Sequence, residues 1–525
     1  MKLGKAFGTI GALTMVSRVL GFLREMVAAR VMGAGPAAEV FALAFLLPNL
    51  FRRLFGEGAF SSGFVPLFSK RLNGGNGIED AKAFAEEVLA VFAPVLMAIT
   101  ALFMIFMPLF IGLLVPDEWA VGDSRMGDAI DLTRITMPYM VLICLVSLAS
   151  GVVNSLNRFA AAAFAPALLN LFLVGALLLN REGGMVTARA MAIAVIIGGI
   201  AQFGLLWLSM AKAGIKLRLR APKMTPAVKE LVVLILPATL AGGIYYLSQV
   251  FYAFFATQIP GALVYLGQAD RLNQLPLAII GSALGTAILP AVSRAIDGPD
   301  EAEAGRIQGQ AIDLGMLLTL PAAIALAALA SPIASVLFEG GKMGAAEVAN
   351  TALVLAILVS GLPAYVLIKV LTPGFYARKD MKTPVVIGVA SLTLGVLSNF
   401  ALVPMIGLAA LPLSTAVSAW INCIALYAIL HKRGHYALHG DVAFRVGRQL
   451  VAAIAMGASL WFLNGLLSDF MAQSKLFKVI GLGAMIAAGG TVYFGLGWVI
   501  GAINKDDVMV LLRRKKATTA APPQA

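Results

Sequence analysis

Read from its N-terminus, the chain alternates long apolar runs with short polar connections. A transmembrane helix needs about 20 mostly apolar residues. Fourteen stretches reach that length: residues 9–30, 37–55, 86–115, 131–156, 160–180, 185–211, 229–256, 262–291, 312–338, 346–372, 384–403, 407–430, 446–467 and 477–503. The first two are the least apolar. Backbone groups facing hydrocarbon must be hydrogen-bonded within their own segment, so each run is expected to be a helix. No connection is long enough for a soluble domain. The largest, residues 56–85, opens on apolar Gly58 to Phe68 and is expected to lie partly in the membrane interface.

Part of this pattern occurs twice. Leu47 to Arg71 reads LPNLFRRLFGEGAFSSGFVPLFSKR, and Leu275 to Arg294 reads LPLAIIGSALGTAILPAVSR. Both open on Leu-Pro, pass through glycines and close on an apolar-Pro-x-x-Ser-basic ending. A second pair joins Met137-Pro138-Tyr139, Asn157-Arg158-Phe159 and Pro166 to Leu362-Pro363-Ala364-Tyr365, Arg378-Lys379-Asp380 and Pro384. Pro66 and Pro290 are 224 residues apart, and Pro138 and Pro363 are 225 apart. Each half then holds six helices. Six is even, so the halves share an orientation and are related by an axis along the membrane normal, an arrangement common among transporters. The expected organisation is an N-lobe over residues 1–222, a C-lobe over 223–435, two further helices within 436–504, and a basic, disordered tail from 505 to 525.

Composition agrees with a lipid solvent. Of 525 residues 60% are hydrophobic and 13% charged, against roughly 25% charged in soluble proteins. This excludes a soluble enzyme, a secreted disulfide scaffold and a disordered regulator. Cys144 and Cys423 lie in apolar runs far apart and read as buried thiols without a disulfide. Lys2 and Lys5 resemble a signal-peptide start, but Arg18 and Arg24 interrupt the run that follows, so the first helix is expected to be retained.

The charge is lopsided, with 40 Lys+Arg against 27 Asp+Glu. Twenty-eight of the basic residues fall at the N-terminus, in every second connection and in the tail, while the alternate connections hold eight. The positive-inside rule places the first set, and both termini, in the cytoplasm. Basic stretches such as Lys212–Lys223 are short loops without interleaved aromatics, so no nucleic-acid partner is expected. Four basic residues remain inside apolar runs: Arg18, Arg24, Arg271 and Lys369.

An ionisable group at membrane depth normally faces a water-filled cavity or a partner. In the first helix Arg18 and Glu25, seven apart, share a face, with Ser17 and Arg24 on the adjacent one. The second contributes Glu39, Asn49, Arg52, Arg53 and Glu57, and Asn49, Arg53 and Glu57 repeat at four-residue steps. The eighth carries Asp270 and Arg271, and the tenth Lys369. Snorkelling or structural ion pairing accounts for residues near helix ends, including Arg30, Arg52 and Arg53. Arg18, Arg24 and Arg271 fit that account less well, because no local excess of carboxylates neutralises them. Guanidinium groups lining a cavity would attract an anion, their forks matching phosphate and carboxylate.

Catalytic signatures are weak. No HExxH, Walker A or GxSxG motif stands in a suitable context. His431, His435 and His439 would align on a helix, but they fall in a basic connection and read as solvated loop residues rather than metal ligands. Asp117, Asp123, Asp128 and Asp131 reflect the non-positive character of an outside loop. No cofactor or metal is expected. Energy for transport would come from an ion gradient, the membrane potential or the substrate's own gradient.

These residues resemble a known family. Ser17-Arg18-Val19-Leu20-Gly21-Phe22-x-Arg24, then Leu47-Pro48-Asn49-x-x-Arg52-Arg53-x-Phe55-x-Glu57-Gly58-Ala59-Phe60, are similar to the MurJ (MviN) lipid II flippases. Ala269-Asp270-Arg271-Leu272, Leu284-Gly285-Thr286 and Pro373-Gly374-Phe375-Tyr376-Ala377-Arg378-x-Asp380-x-Lys382-Thr383-Pro384 extend the likeness to about residue 503. The family belongs to the multidrug/oligosaccharidyl-lipid/polysaccharide exporter (MOP) superfamily of all-α polytopic proteins. The resemblance implies a transporter, not an enzyme, that moves lipid II, the undecaprenyl-pyrophosphate-linked peptidoglycan precursor, between leaflets of the bacterial inner membrane by alternating access. It implies substrate-binding roles for Arg18, Arg24, Arg52 and Arg271, importance for Glu39 and Asn49, and a polyprenyl-tail groove along helices 13 and 14. Cell-wall synthesis or division proteins are the partners it suggests.

The sequence departs from the family pattern at several positions. Glu39 and Glu25 stand where many members carry Asp, and Leu46 replaces a basic residue found in some. Gln274 occupies a place where a carboxylate can occur, which weakens any ion-coupling role there. The rival readings are a flippase for another polyprenyl-linked oligosaccharide and a drug/cation antiporter of the same superfamily. The second would call for a net negative cavity. A glycosyltransferase would need catalytic carboxylates in larger outside loops, and a membrane scaffold has no need of intramembrane arginines.

Overall fold

In a computed structural model the protein is described over residues 3–52, 59–119, 125–298 and 301–504. The described residues are mostly helical, with turns, an irregular connection over residues 215–225 and one isolated bridge between Gly340 and Met343. The first ten helices are α1 (Leu3–Met32), α2 (Pro36–Phe51), α3 (Ala59–Leu72), α4 (Ile78–Ile105), α5 (Met107–Gly112), α6 (Arg125–Thr136), α7 (Tyr139–Ser155), α8 (Ala160–Leu179), α9 (Met185–Lys212) and α10 (Pro226–Thr257). They are followed by α11 (Ala262–Pro276), α12 (Ser282–Ile296), α13 (Glu301–Ala328), α14 (Ala330–Phe338), α15 (Ala345–Leu358), α16 (Leu362–Tyr376) and α17 (Lys382–Ile406). The last four are α18 (Ala410–Lys432), α19 (Gly440–Leu466), α20 (Ser468–Ala472) and α21 (Lys475–Val499).

Among the described residues, nine continuous helical stretches are long and apolar enough to cross a membrane, with Pro36–Phe51 and Leu247–Thr257 as shorter apolar helices. One of the nine, Lys382–Lys432, contains both α17 and α18, separated by the turn Gly407–Ala409. The expected all-α polytopic membrane architecture is therefore what the chain adopts. The basic tail from residue 505 lies outside the described residues.

The chain divides into two compact units. The first comprises Met1–Gln268, Leu337–Asn350 and Val396–Leu411, and the second Ala269–Val336, Thr351–Gly395 and Pro412–Ala525. In the first unit, the stretch after Gly58 forms α3. Phe60, Phe64 and Phe68 follow the four-residue helical spacing and are fully buried. Phe64 stacks on Phe60 at 5.3 Å and on Phe84 at 5.5 Å, and Phe60 stacks on Phe92 at 4.7 Å. The stripe is core, because four-residue spacing puts all three rings on one helix face. Gly151 of α7 makes room for it: a Cβ there would lie 2.8 Å from the Phe64 ring. Elsewhere in this unit the Lys342 N–H donates to the Arg30 carbonyl at 2.9 Å, and its ammonium donates to the Glu182 carbonyl.

The second unit is tied by a polar cluster at α13, α19 and α21. Asp313 accepts from the Gln449 amide at 2.8 Å and pairs with Arg445 at 3.0 Å, while the Tyr493 hydroxyl donates to the Leu317 carbonyl at 2.7 Å. Cys144 and Cys423 are free and buried, each within its own unit.

The duplicated motifs share a local backbone. Among the described residues, the only non-glycine residues with positive φ are Asn157 (57°), the first member of Asn157-Arg158-Phe159, and Lys379 (62°), the middle member of Arg378-Lys379-Asp380. Each turns the chain after a helix, α7 or α16, where a left-handed residue can close the last turn. Beyond Lys379, Asp380 accepts from the Thr383 hydroxyl at 2.6 Å and its backbone N–H at 3.0 Å, and pairs with Arg433 at 2.6 Å. The Thr383 bonds, with Arg433, hold the Asp380 carboxyl well below the usual carboxylate range.

Candidate functional site

The first group of expected site residues is built on α1 and α8. Arg24 is nearly buried, with its side chain 12% exposed. One Nη2 N–H pairs with Glu25, and Nη1 donates to the Asn170 Oδ1 of α8 at 3.1 Å. The Asn170 amide in turn donates to the Ser17 carbonyl at 3.4 Å and to the Pro166 carbonyl at 3.2 Å. Gly21 sits at this crossing, where a Cβ would lie 3.4 Å from Asn170 Nδ2. Ser17, Arg24 and Glu25 are thus brought together, with the serine taking part through its backbone. Arg18 is exposed, and among the described residues it has no hydrogen-bond or ion-pair partner.

Helix α2 divides its candidates between its two ends. Near the C-terminal end, Arg52 Nε donates to Asn49 Oδ1 at 3.0 Å, a pairing that three-residue helical spacing allows. Near the other end Glu39 is buried, and its carboxylate accepts the Gly261 N–H just ahead of α11. At 1.5 Å per residue Glu39 stands about 20 Å along the helix from Arg52, so it does not join that group. Arg53 and Glu57 lie outside the described residues.

In the second unit Asp270 and Arg271 lie exposed on α11. The Gln274 amide donates to the Asp270 carboxylate one turn on. A carboxylate at 274 would need a proton to make that bond. After Pro276 the helix widens into a π-turn over Leu277–Gly281, a feature frequent at functional sites. Lys369 of α16 lies across it: a Cβ on Gly281 would come within 2.9 Å of the Lys369 ammonium.

Among the described residues no three His, Cys, Asp or Glu side chains gather in a metal-binding arrangement. The three histidines do not share a helix. His431 stacks on Tyr427 at 5.8 Å, α18 ends at Lys432, Gly434 turns at φ 70°, and His439 precedes α19. Sequence reasoning missed Asn170. Its only signal was a polar amide between Leu169 and Leu171 in an apolar helix, which takes on meaning once α1 is packed against α8.

Arg24, held by Glu25 and Asn170 within an apolar helix, presents a guanidinium of the kind that suits an anionic group. The family model of the lipid II flippase MurJ matches residues 28–481. The lipid II flippase MurJ of Burkholderia cenocepacia is 36% identical over 510 residues, covering 95% of this chain and 98% of its own. The chain belongs to the lipid II flippase MurJ family. The Rhizobium tropici relative is also 36% identical, over 100% of this chain and 99% of its own. Its coverage includes Arg18 and Arg24, which precede the MurJ family match. The solved structure of a MurJ in an inward closed conformation shares the fold with a TM-score of 0.76 at 21% identity, covering 94% of this chain and 98% of that one. An inward-facing multidrug resistance MATE transporter of the MOP superfamily matches at a TM-score of 0.63 and 14% identity, over 81% and 97%. The chain therefore has the MurJ fold.

Proposed function

We propose that this member of the MurJ family is a lipid II flippase, moving the undecaprenyl-pyrophosphate-linked precursor of peptidoglycan to the periplasmic leaflet of the bacterial cytoplasmic membrane by alternating access. It acts as a transporter without a chemical step and without a cofactor, drawing on the membrane potential or an ion gradient. The charge pattern supports cytoplasmic termini. Arg18, Arg24, Arg52 and Arg271 are the substrate contacts in this reading. Ser17, Glu25, Glu39, Asn49, Arg53, Glu57, Asp270 and Lys369 support them, and α19 and α21 accept the lipid tail.

The observation that carries the reading is Arg24, a guanidinium held in a defined position within an apolar helix. Pyrophosphate and peptide carboxylates lose hydration on leaving water, and guanidinium donors can replace it. The test is reconstitution in liposomes with fluorescent lipid II beside a lipid-linked sugar lacking the peptide. Faster leaflet exchange of lipid II is expected, and equal rates for both would refute lipid II selectivity.

A further inference from the structure

We propose that Asn170 is a positioning residue for Arg24, fixing the direction in which its guanidinium meets an anionic group of the substrate. The proposal rests on the reading of Arg24 as a substrate contact. An arginine side chain has a long flexible stem, so its direction must come from its partners. Asn170 supplies one from another helix. Its amide N–H groups are directed at the Ser17 and Pro166 carbonyls, at 3.4 and 3.2 Å. With the nitrogen so committed, Oδ1 faces Arg24 and accepts from Nη1 at 3.1 Å. The flipped amide would set donor against donor and leave two carbonyls without it.

The partner's neutrality matters. Glu25 also holds the guanidinium, and it offsets charge as it does so. Asn170 holds it without cancelling charge. A guanidinium has five N–H donors. One goes to Glu25 and one to Asn170, and the rest remain for an anion.

The platform is rigid for reasons visible on the far side of α8. A Cβ at Gly198 of α9 would lie 3.0 Å from the Leu169 side chain, so α9 packs backbone-close beside Asn170's neighbour. The Gln202 amide donates to the Ala165 carbonyl at 2.9 Å, little more than a turn earlier on α8. With α8 held there and Gly21 opening α1 to it, Asn170 transmits the position of α8 to Arg24.

The experiment compares N170A, N170D, N170S, R24A and R24A/N170A in proteoliposomes with fluorescent lipid II, alongside melting temperatures in detergent. N170A is expected to raise the lipid II concentration for half-maximal flipping roughly ten-fold, the scale of one hydrogen bond to a charged group. N170D is expected to flip more slowly than N170A, because its carboxylate neutralises the guanidinium. The double variant is expected to be no worse than R24A. Normal flipping by N170A with R24A inactive overturns the positioning role and leaves the arginine reading standing. Normal flipping by R24A overturns the underlying reading. Should N170A fail to fold, N170S and N170D decide: N170D matching or exceeding N170S overturns the proposal.

Discussion

Two polar clusters, one in each compact unit, set charged side chains inside apolar helices and treat them differently. In the second unit, Asp313 of α13 is met by Gln449 and Arg445 of α19, amide and guanidinium closing on a single carboxylate. In the first, Arg24 is the centre, met by one carboxylate and one neutral amide, with donors to spare. Their burial is alike: Asp313 and Arg24 are each 12% exposed. Burial therefore does not distinguish the two centres. Their partners do. The Asp313 carboxylate is met by donors from α19 and joins two helices, whereas the Arg24 guanidinium, on the function proposed above, turns its further N–H groups to a substrate anion.

The comparison is broken most directly by truncating each centre. R24A is expected to lower lipid II flipping roughly a hundred-fold or more, by loss of a charged contact in a water-poor site, while the protein stays folded in the membrane. R18A and R271A are expected to do the same. Normal complementation of a flippase-depleted strain by all three would remove the cationic site altogether. D313A should act the other way. Breaking a fully buried ion pair costs about 3–5 kcal/mol, and the partial exposure of Arg445 brings this to about 2 kcal/mol. Thermal unfolding in detergent should register that loss while flipping per folded molecule is unchanged; unchanged melting with lost flipping would reverse the two assignments.

Smaller changes sharpen the contrast. G21A adds a Cβ close to the Asn170 amide, and a two- to three-fold fall in flipping, roughly the effect of a few tenths of an ångström of displacement, is expected. G21L should cost more, and equal rates for both would mean that the crossing does not position Arg24. The smallest effect belongs to Asp380. Its carboxyl is held below its ordinary range by Thr383 and Arg433, so the stability it adds is present above about pH 4. That contribution is lost as pH falls through the lowered value. The melting temperature of D380N is expected to fall less on acidification below pH 4 than that of the unaltered protein.

Much of this was legible in the residues. Arg18, Arg24 and Arg271 stand out because a charge in an apolar run is costly wherever the run packs. Asn170 does not stand out, since a lone amide is tolerated in many helices, and its partners Ser17 and Arg24 lie far away in sequence. The stretch after Gly58 is apolar by composition, but which of its faces is core depends on Phe84 and Phe92 of α4 and on the bare backbone of Gly151. Asp313 carries no sequence mark that distinguishes it from a ligand-facing acid until Arg445 and Gln449 are seen against it.

The sequence by itself determined that this chain is built of membrane helices, which of its connections carry positive charge, and which cations stand within apolar runs. These follow from one-dimensional facts, because hydrocarbon forces every backbone group to be satisfied within its own helix. The tertiary structure alone decided which partners meet each of the buried charges. That outcome depends on helix crossings such as α1 on α8 and α13 on α19, where residues more than a hundred positions apart meet within hydrogen-bond distance.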